Sequence, residues 1–170
     1  MKAQKIKDLH QLFLQNGIEI WLDGGWGVDA LLGKQTRLHG DVDIVIQEID
    51  IQKLQLLLSD QGYAEMIRDD SSTWNFVMGD LEGNLIDVHV INFDAEGNGD
   101  YGPIEKGVEY PAYAFKGTGF IEDYPVKCLS AEYQVESHTG YQIDENDIKD
   151  VTALCEKFGI KYPREYLTNI

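Results

Sequence analysis

Trp21-Leu22-Asp23-Gly24-Gly25-Trp26-Gly27-Val28-Asp29 and, further on, Asp41-Val42-Asp43-Ile44-Val45-Ile46 are the two stretches that decide the fold. The apolar, β-prone run Ile18 to Leu22 stops at Asp23-Gly24-Gly25, the pattern of a strand, a tight turn and a new element. Val28, Leu31 and Leu32 give that element one apolar face, so it is a short helix with Gly33 at its C-terminal cap. From Asp41 the period becomes two. Val42, Ile44 and Ile46 alternate with Asp41, Asp43 and Val45, so both carboxylates leave the same face of a strand while Val42 points into the core. A slip of one residue in register would bury both aspartates.

Outward from this unit, Ile6, Leu9, Leu12 and Phe13 recur at helical spacing and predict an opening helix ended by Asn16-Gly17. Ile51, Leu54, Leu57 and Leu58 form a second stripe, with Asp50 as expected N-cap and Gly62 at the end. Strands are expected at Tyr63 to Arg68, Thr73 to Met78 and Leu85 to Phe93. Asp94 to Lys106 reads as a Gly-rich acidic loop, and Tyr110 to Val126 as short irregular strands. Ser130 is expected to cap a helix carrying Tyr133 and Val135. Asp144 is expected to cap another with Ile148, Val151, Leu154, Cys155 and Phe158 on one side. The pattern is α+β: a mixed β-sheet flanked by helices, in one domain spanning 1–170, with a core over about 1–128 and a helical C-terminal segment over about 129–170.

The chain has 170 residues, 43% of them hydrophobic, enough for a sizeable core. Its 14 basic and 30 acidic residues give a net charge of -16, which argues against a nucleic-acid backbone or an anionic membrane as partner and fits a cationic small molecule better, although an acidic excess also serves plain solubility. Met1 to Phe13 carries charges throughout, unlike a signal peptide, and no apolar run is long enough to cross a bilayer, so a soluble cytoplasmic protein is expected. Cys128 and Cys155 fit no CxxC pattern and read as reduced core residues. The apolar and aromatic content of the C-terminal half permits a homodimer.

Asp41 and Asp43 share one small volume, and two like charges so close raise each other's pKa unless a cation compensates them; Mg2+ suits such oxygen ligands. Ile86, Val88 and Val90 alternate with Asp87, His89 and Ile91 in the same way. If that strand lies beside the first, Asp87 arrives as a third ligand or as general base toward an attacking hydroxyl, with His89 beside it as an alternative base. The Gly24-Gly25 turn entering a helix offers backbone N–H groups to phosphate oxygens. Arg37 can clamp phosphate bidentately, and Lys149 on the late helix is a candidate second cation, although Glu145 four residues earlier is its simplest partner. Asp94, Glu96, Asn98, Gly99, Asp100 and Glu105 nearly spell a calcium loop, but a strand precedes them and Pro103 interrupts them, so calcium is not expected.

Trp21 to Asp29, Arg37, His39, Asp41-Val42-Asp43 and Asp87-Val88-His89 together resemble the lincosamide nucleotidyltransferases of the DNA polymerase β-like superfamily, relatives of the aminoglycoside nucleotidyltransferases. The likeness runs on through His138-Thr139-Gly140-Tyr141 and Asp147-Ile148-Lys149. It implies a polymerase β-like fold in which Asp41, Asp43 and Asp87 bind Mg2+ and Gly24, Gly25 and Arg37 meet the nucleotide phosphates. The implied reaction moves AMP from ATP to a hydroxyl of a lincosamide antibiotic, releasing pyrophosphate and inactivating the drug. Alternatives on the same residues are an aminoglycoside or other small-molecule nucleotidyltransferase, a non-catalytic nucleotide-binding regulatory protein, and a metal-dependent phosphohydrolase.

Overall fold

The computed structural model describes residues 1–102 and 108–167. Its first helix, α1 (Ala3–Gln15), buries Ile6, Leu9 and Phe13 and stops before Gly17, as the stripe predicts. β1 (Ile20–Asp23) runs directly into α2 (Gly24–Leu32), which Gly33 closes in the left-handed conformation. β2 (Asp41–Gln47) is followed by a 3-10 turn over Glu48–Asp50 and by α3 (Ile51–Asp60). Because Asp50 belongs to that turn, its side chain caps nothing, contrary to the sequence expectation.

The chain then forms β3 (Ala64–Met66), β4 (Asn75–Gly79), β5 (Leu85–Phe93), β6 (Gly99–Tyr101), β7 (Val108–Tyr110), β8 (Gly117–Ile121) and β9 (Tyr124–Cys128). Two helices follow, α4 (Ala131–Ser137) and α5 (Glu145–Phe158). Ser130 caps α4 by accepting from the Tyr133 amide. Asp144 caps α5 in a reciprocal box with Asp147. Both caps are those the sequence predicts.

All the strands belong to one mixed sheet, ordered β3-β4-β5-β2-β1-β9-β8, with β6 added to the far end of β5 and β7 to β6. The β2/β5 and β1/β9 pairs are parallel and the others antiparallel. Strand pleating sends alternate residues to opposite faces. One face carries Ile20, Leu22, Val42, Ile44, Ile46, Ile86, Val88 and Val90, packed with Ile6, Leu9 and Phe13 of α1 and Leu54 and Leu58 of α3. Trp21, Val45 and Ile91 face the other way, into a smaller cluster with Tyr110, Ala114, Leu129 and Tyr133. Asp23, Asp41, Asp43, Asp87 and His89 leave the sheet on this second side. Both cysteines are free and buried.

The segment expected to be a loop from Asp94 holds β6, which pairs with Ile91 to Phe93. Asp94 spends its carboxylate on the turn, accepting from the amides of Glu96 and Asn98 and from Asn98 Nδ2. Pro103 and Glu105 lie outside the described residues. Among the described residues no helix is long and apolar enough to cross a membrane.

One contact fixes how α2 crosses the sheet edge. A Cβ on Gly119 of β8 would lie 2.2 Å from the backbone oxygen of Ala30. Neither backbone can yield there without moving a whole element. Gly119→Ala is therefore expected to destabilise the fold by roughly 2–3 kcal/mol, read as a lower urea midpoint at unchanged m-value.

Candidate active site

Register builds the site. Asp23 is paired with Asp43 across β1 and β2, and Asp43 with Asp87 across β2 and β5. Three aspartates thus stand in one row on three adjacent strands, at the roughly 4.8 Å spacing of neighbouring strands. Asp41, two residues before Asp43, projects from the same face opposite Leu85. The sequence places Asp41, Asp43 and Asp87 together correctly but gives no sign of Asp23, whose membership depends on the antiparallel pairing of β1 with β2. Asp23 also caps α2, its Oδ1 accepting from the Gly24 amide at 2.7 Å.

So much negative charge in a half-buried row has a measurable cost. Burial, then the charges of Asp23, Asp41 and Asp87, push the Asp43 carboxyl up to about 8. Burial also raises Asp87, against the opposing pull of His89 and Arg68. Arg68, on the connection after β3, reaches Asp87 Oδ2 with Nη1 at 3.5 Å. The other oxygen, Asp87 Oδ1, is buried with no hydrogen-bond partner. His89 lies on the same face with its Nδ1 3.4 Å from the Tyr101 hydroxyl. Beyond it Tyr101, Tyr110, Phe115, Trp21 and Phe93 pack edge to face or tilted against one another, forming an aromatic floor beside the acids.

An excess of carboxylates around a raised Asp43 and an orphaned Asp87 oxygen fits a divalent cation better than any protein partner present. Among the described residues no three His, Cys, Asp or Glu side chains form a ready cage. Mg2+ does not require one, since one or two carboxylates with waters and substrate phosphates suffice.

The glycines bring the start of α2 close to this row. Gly24 has φ +52, and a Cβ there would lie 2.3 Å from Asp43 Oδ2. A Cβ on Gly25 would lie 2.4 Å from His39 Nδ1 and 2.8 Å from Arg37 Nη2. Arg37 is itself held: Nη1 is 2.9 Å from His39 Nδ1 and Nη2 is 3.1 Å from Asp150 Oδ2. Its Nε is buried without a partner. Lys149 does not join this group. It sits on the outer side of α5, exposed, with Glu145 at 3.9 Å. The late helix contributes buried Asp150 instead, and a carboxylate four residues before Leu154 on the apolar stripe is the sequence signal that would have marked it.

The sequence profile of the aminoglycoside-2''-adenylyltransferase family matches residues 5–154. A lincosamide resistance protein of Staphylococcus haemolyticus is 35% identical over 147 residues, covering 84% of this chain and 88% of that protein. The crystal structure of the lincosamide antibiotic adenylyltransferase LnuA with lincomycin bound superposes with a TM-score of 0.79 at 30% identity, covering 91% of this chain and 96% of that one. ANT(2'')-Ia in complex with adenylyl-2''-tobramycin shares the fold at a TM-score of 0.71 and 22% identity, over 92% of this chain and 89% of that one. A profile match over most of the length, joined to a 35% identical relative of similar size, makes this chain a member of the aminoglycoside-2''-adenylyltransferase family of antibiotic nucleotidyltransferases.

Proposed function

We propose that this protein transfers a nucleoside monophosphate, AMP from ATP, to a hydroxyl of a lincosamide antibiotic, releasing pyrophosphate in the cytoplasm. The observation that carries the proposal is the aspartate row across β1, β2 and β5, abutted by the glycine start of α2. The likeness to the lincosamide resistance protein and to LnuA supports the choice of acceptor.

Asp41, Asp43 and Asp87 would hold Mg2+. When bound, the ion neutralises triphosphate charge and polarises the α-phosphate. The chain's residues do the rest. Gly24 and Gly25 let the positive end of α2 come up against the aspartate row and Arg37, where it can face phosphate oxygens, and Arg37 offers a permanent charge to the pyrophosphate as it leaves. Asp87, whose Oδ1 has no protein partner, is placed to take the acceptor hydroxyl's proton, with His89 next to it on the same face. The hydroxyl oxygen forms its bond to the α-phosphorus as the bond to pyrophosphate breaks, and the proton goes to the Asp87 carboxylate. The aromatic floor around Tyr101 gives an acceptor ring an apolar surface, and the acidic rim suits an acceptor amine.

Pyrophosphate release, followed with Mg2+ and each nucleoside triphosphate against lincosamides and aminoglycosides in turn, tests the proposal. Release with ATP and a lincosamide is expected. Release with aminoglycosides alone would reassign the acceptor, and no release with any acceptor despite ATP binding would sink the enzymatic reading.

A further inference from the structure

Arg37 is held by more than a carboxylate. A guanidinium carries only N–H donors and stays charged, so the His39 Nδ1 that lies 2.9 Å from Arg37 Nη1 must be a bare, accepting nitrogen. The ring proton then sits on Nε2, which donates to Asp29 Oδ2 at 2.5 Å. Asp29 is fixed in its turn: Oδ1 accepts from the Thr36 amide at 3.0 Å and from Thr36 Oγ1 at 2.6 Å. The side chains of His39 and Asp29 are 3% and 1% exposed. The imidazole cannot turn over freely, because Trp26 packs on it with ring centroids 4.9 Å apart and the Gly25 backbone closes the other approach. One proton arrangement is consistent with every hydrogen bond along the chain Thr36, Asp29, His39, Arg37, Asp150.

The choice of a neutral acceptor has chemical sense. Asp150 already gives Arg37 one carboxylate. A second carboxylate in place of His39 would cancel the charge that a phosphate needs, whereas an imidazole nitrogen orients the guanidinium without neutralising it. Orienting a long, flexible side chain before the ligand arrives removes an ordering cost from binding.

We infer that His39, locked by Asp29 as the Nε2–H tautomer, is a positioning residue that presets Arg37 beneath the start of α2 and so sets the affinity for the triphosphate. This inference rests on the assignment of Arg37 to the phosphates, and the test separates the two. His39→Gln retains an amide toward Asp29 but offers no acceptor at the Nδ1 position, while His39→Asn retains an acceptor there. His39→Gln is expected to raise KM for ATP roughly tenfold, as loss of one hydrogen bond to a charged group does, with KM for the acceptor unchanged. His39→Asn should recover most of that loss. In an Arg37→Ala background, adding His39→Gln should change nothing further.

A His39→Gln effect that persists undiminished without Arg37 would overturn the inference, as would equal losses in the Gln and Asn variants. An Arg37→Ala protein with normal KM for ATP would overturn the phosphate assignment and with it any effect of His39 on nucleotide affinity. Imidazole nitrogen NMR of the unaltered protein decides the contact itself, independent of activity and of whether the variants fold. A protonated Nε2 and bare Nδ1 on His39 are expected; a protonated Nδ1 would refute the hydrogen bond to Arg37.

Discussion

Asp43→Asn is expected to reduce nucleotidyl transfer by about a thousandfold or more while making the metal-free protein more stable. The two effects share a cause. Asp43 is the middle of the row, paired with Asp23 on one side and Asp87 on the other, so its charge is the one most central to holding a cation and most opposed by its neighbours. Losing a preorganised electrostatic contact to the reacting centre typically costs a factor of about 100 to 1,000, and here a ligand of the cation itself is lost.

The stability effect follows from linkage. With its folded value pushed up to about 8, Asp43 keeps a proton in the folded state that the unfolded chain gives up in the ordinary carboxylate range. The folded state therefore binds more protons between about pH 4 and pH 8, and stability falls as pH rises through that window. Asparagine removes this dependence. Near pH 8 and with chelator present, the variant should be more stable by on the order of 2 kcal/mol, below the full linkage value because Asp43 is only half-buried. Thermal unfolding across pH, beside turnover measurements, checks both halves. Equal pH slopes for the two proteins would show that the carboxylates do not repel as described.

Gly24→Ala is expected to lower turnover about a hundredfold. Alanine at φ +52 costs on the order of 1 kcal/mol, and its Cβ would fall 2.3 Å from Asp43 Oδ2 and 3.0 Å from Cγ. The carboxylate must move or the start of α2 must lift, and displacements of about 1 Å at a reacting centre can cost a hundredfold in rate. Gly40→Ala is the matched control. A Cβ there meets nothing within 4 Å and the backbone needs no positive φ, so activity within about twofold of the parent is expected. Near-normal turnover of Gly24→Ala would mean that the helix start and the acidic row are not mechanically joined.

What could be read from the chain and what could not divides along local and non-local lines. The alternation in Asp41 to Ile46 and Leu85 to Ile91 is a property of a strand alone, so the faces of Asp41, Asp43, Asp87 and His89 were legible, as were the caps at Gly33, Ser130 and Asp144. Asp23 was not, because its place beside Asp43 exists only once β1 and β2 pair in one register. β6 has a similar reason: Gly99-Asp100-Tyr101 lies within a stretch that reads as a Gly-rich acidic loop and becomes a strand by adding to the end of β5. Arg68 reaches Asp87 by the path of a loop that no periodicity describes. On α5 helical phase decides: Lys149 carries the charge a phosphate would need, yet Asp150, one step around the helix, faces inward to Arg37. His39 entered only through the family likeness, and its partners Asp29 and Arg37 needed the packed structure to appear.

The most direct test of the metal centre is binding, free of turnover. Mn2+, a spectroscopic substitute for Mg2+, can be titrated by electron paramagnetic resonance into the unaltered protein and into Asp43→Asn and Asp41→Asn, each with a non-hydrolysable ATP analogue. The aspartate row predicts Mn2+ bound by the unaltered protein and affinity reduced at least about tenfold in each variant, as expected when a charged ligand to a hard cation is removed. Equal Mn2+ affinity in all three proteins would contradict it.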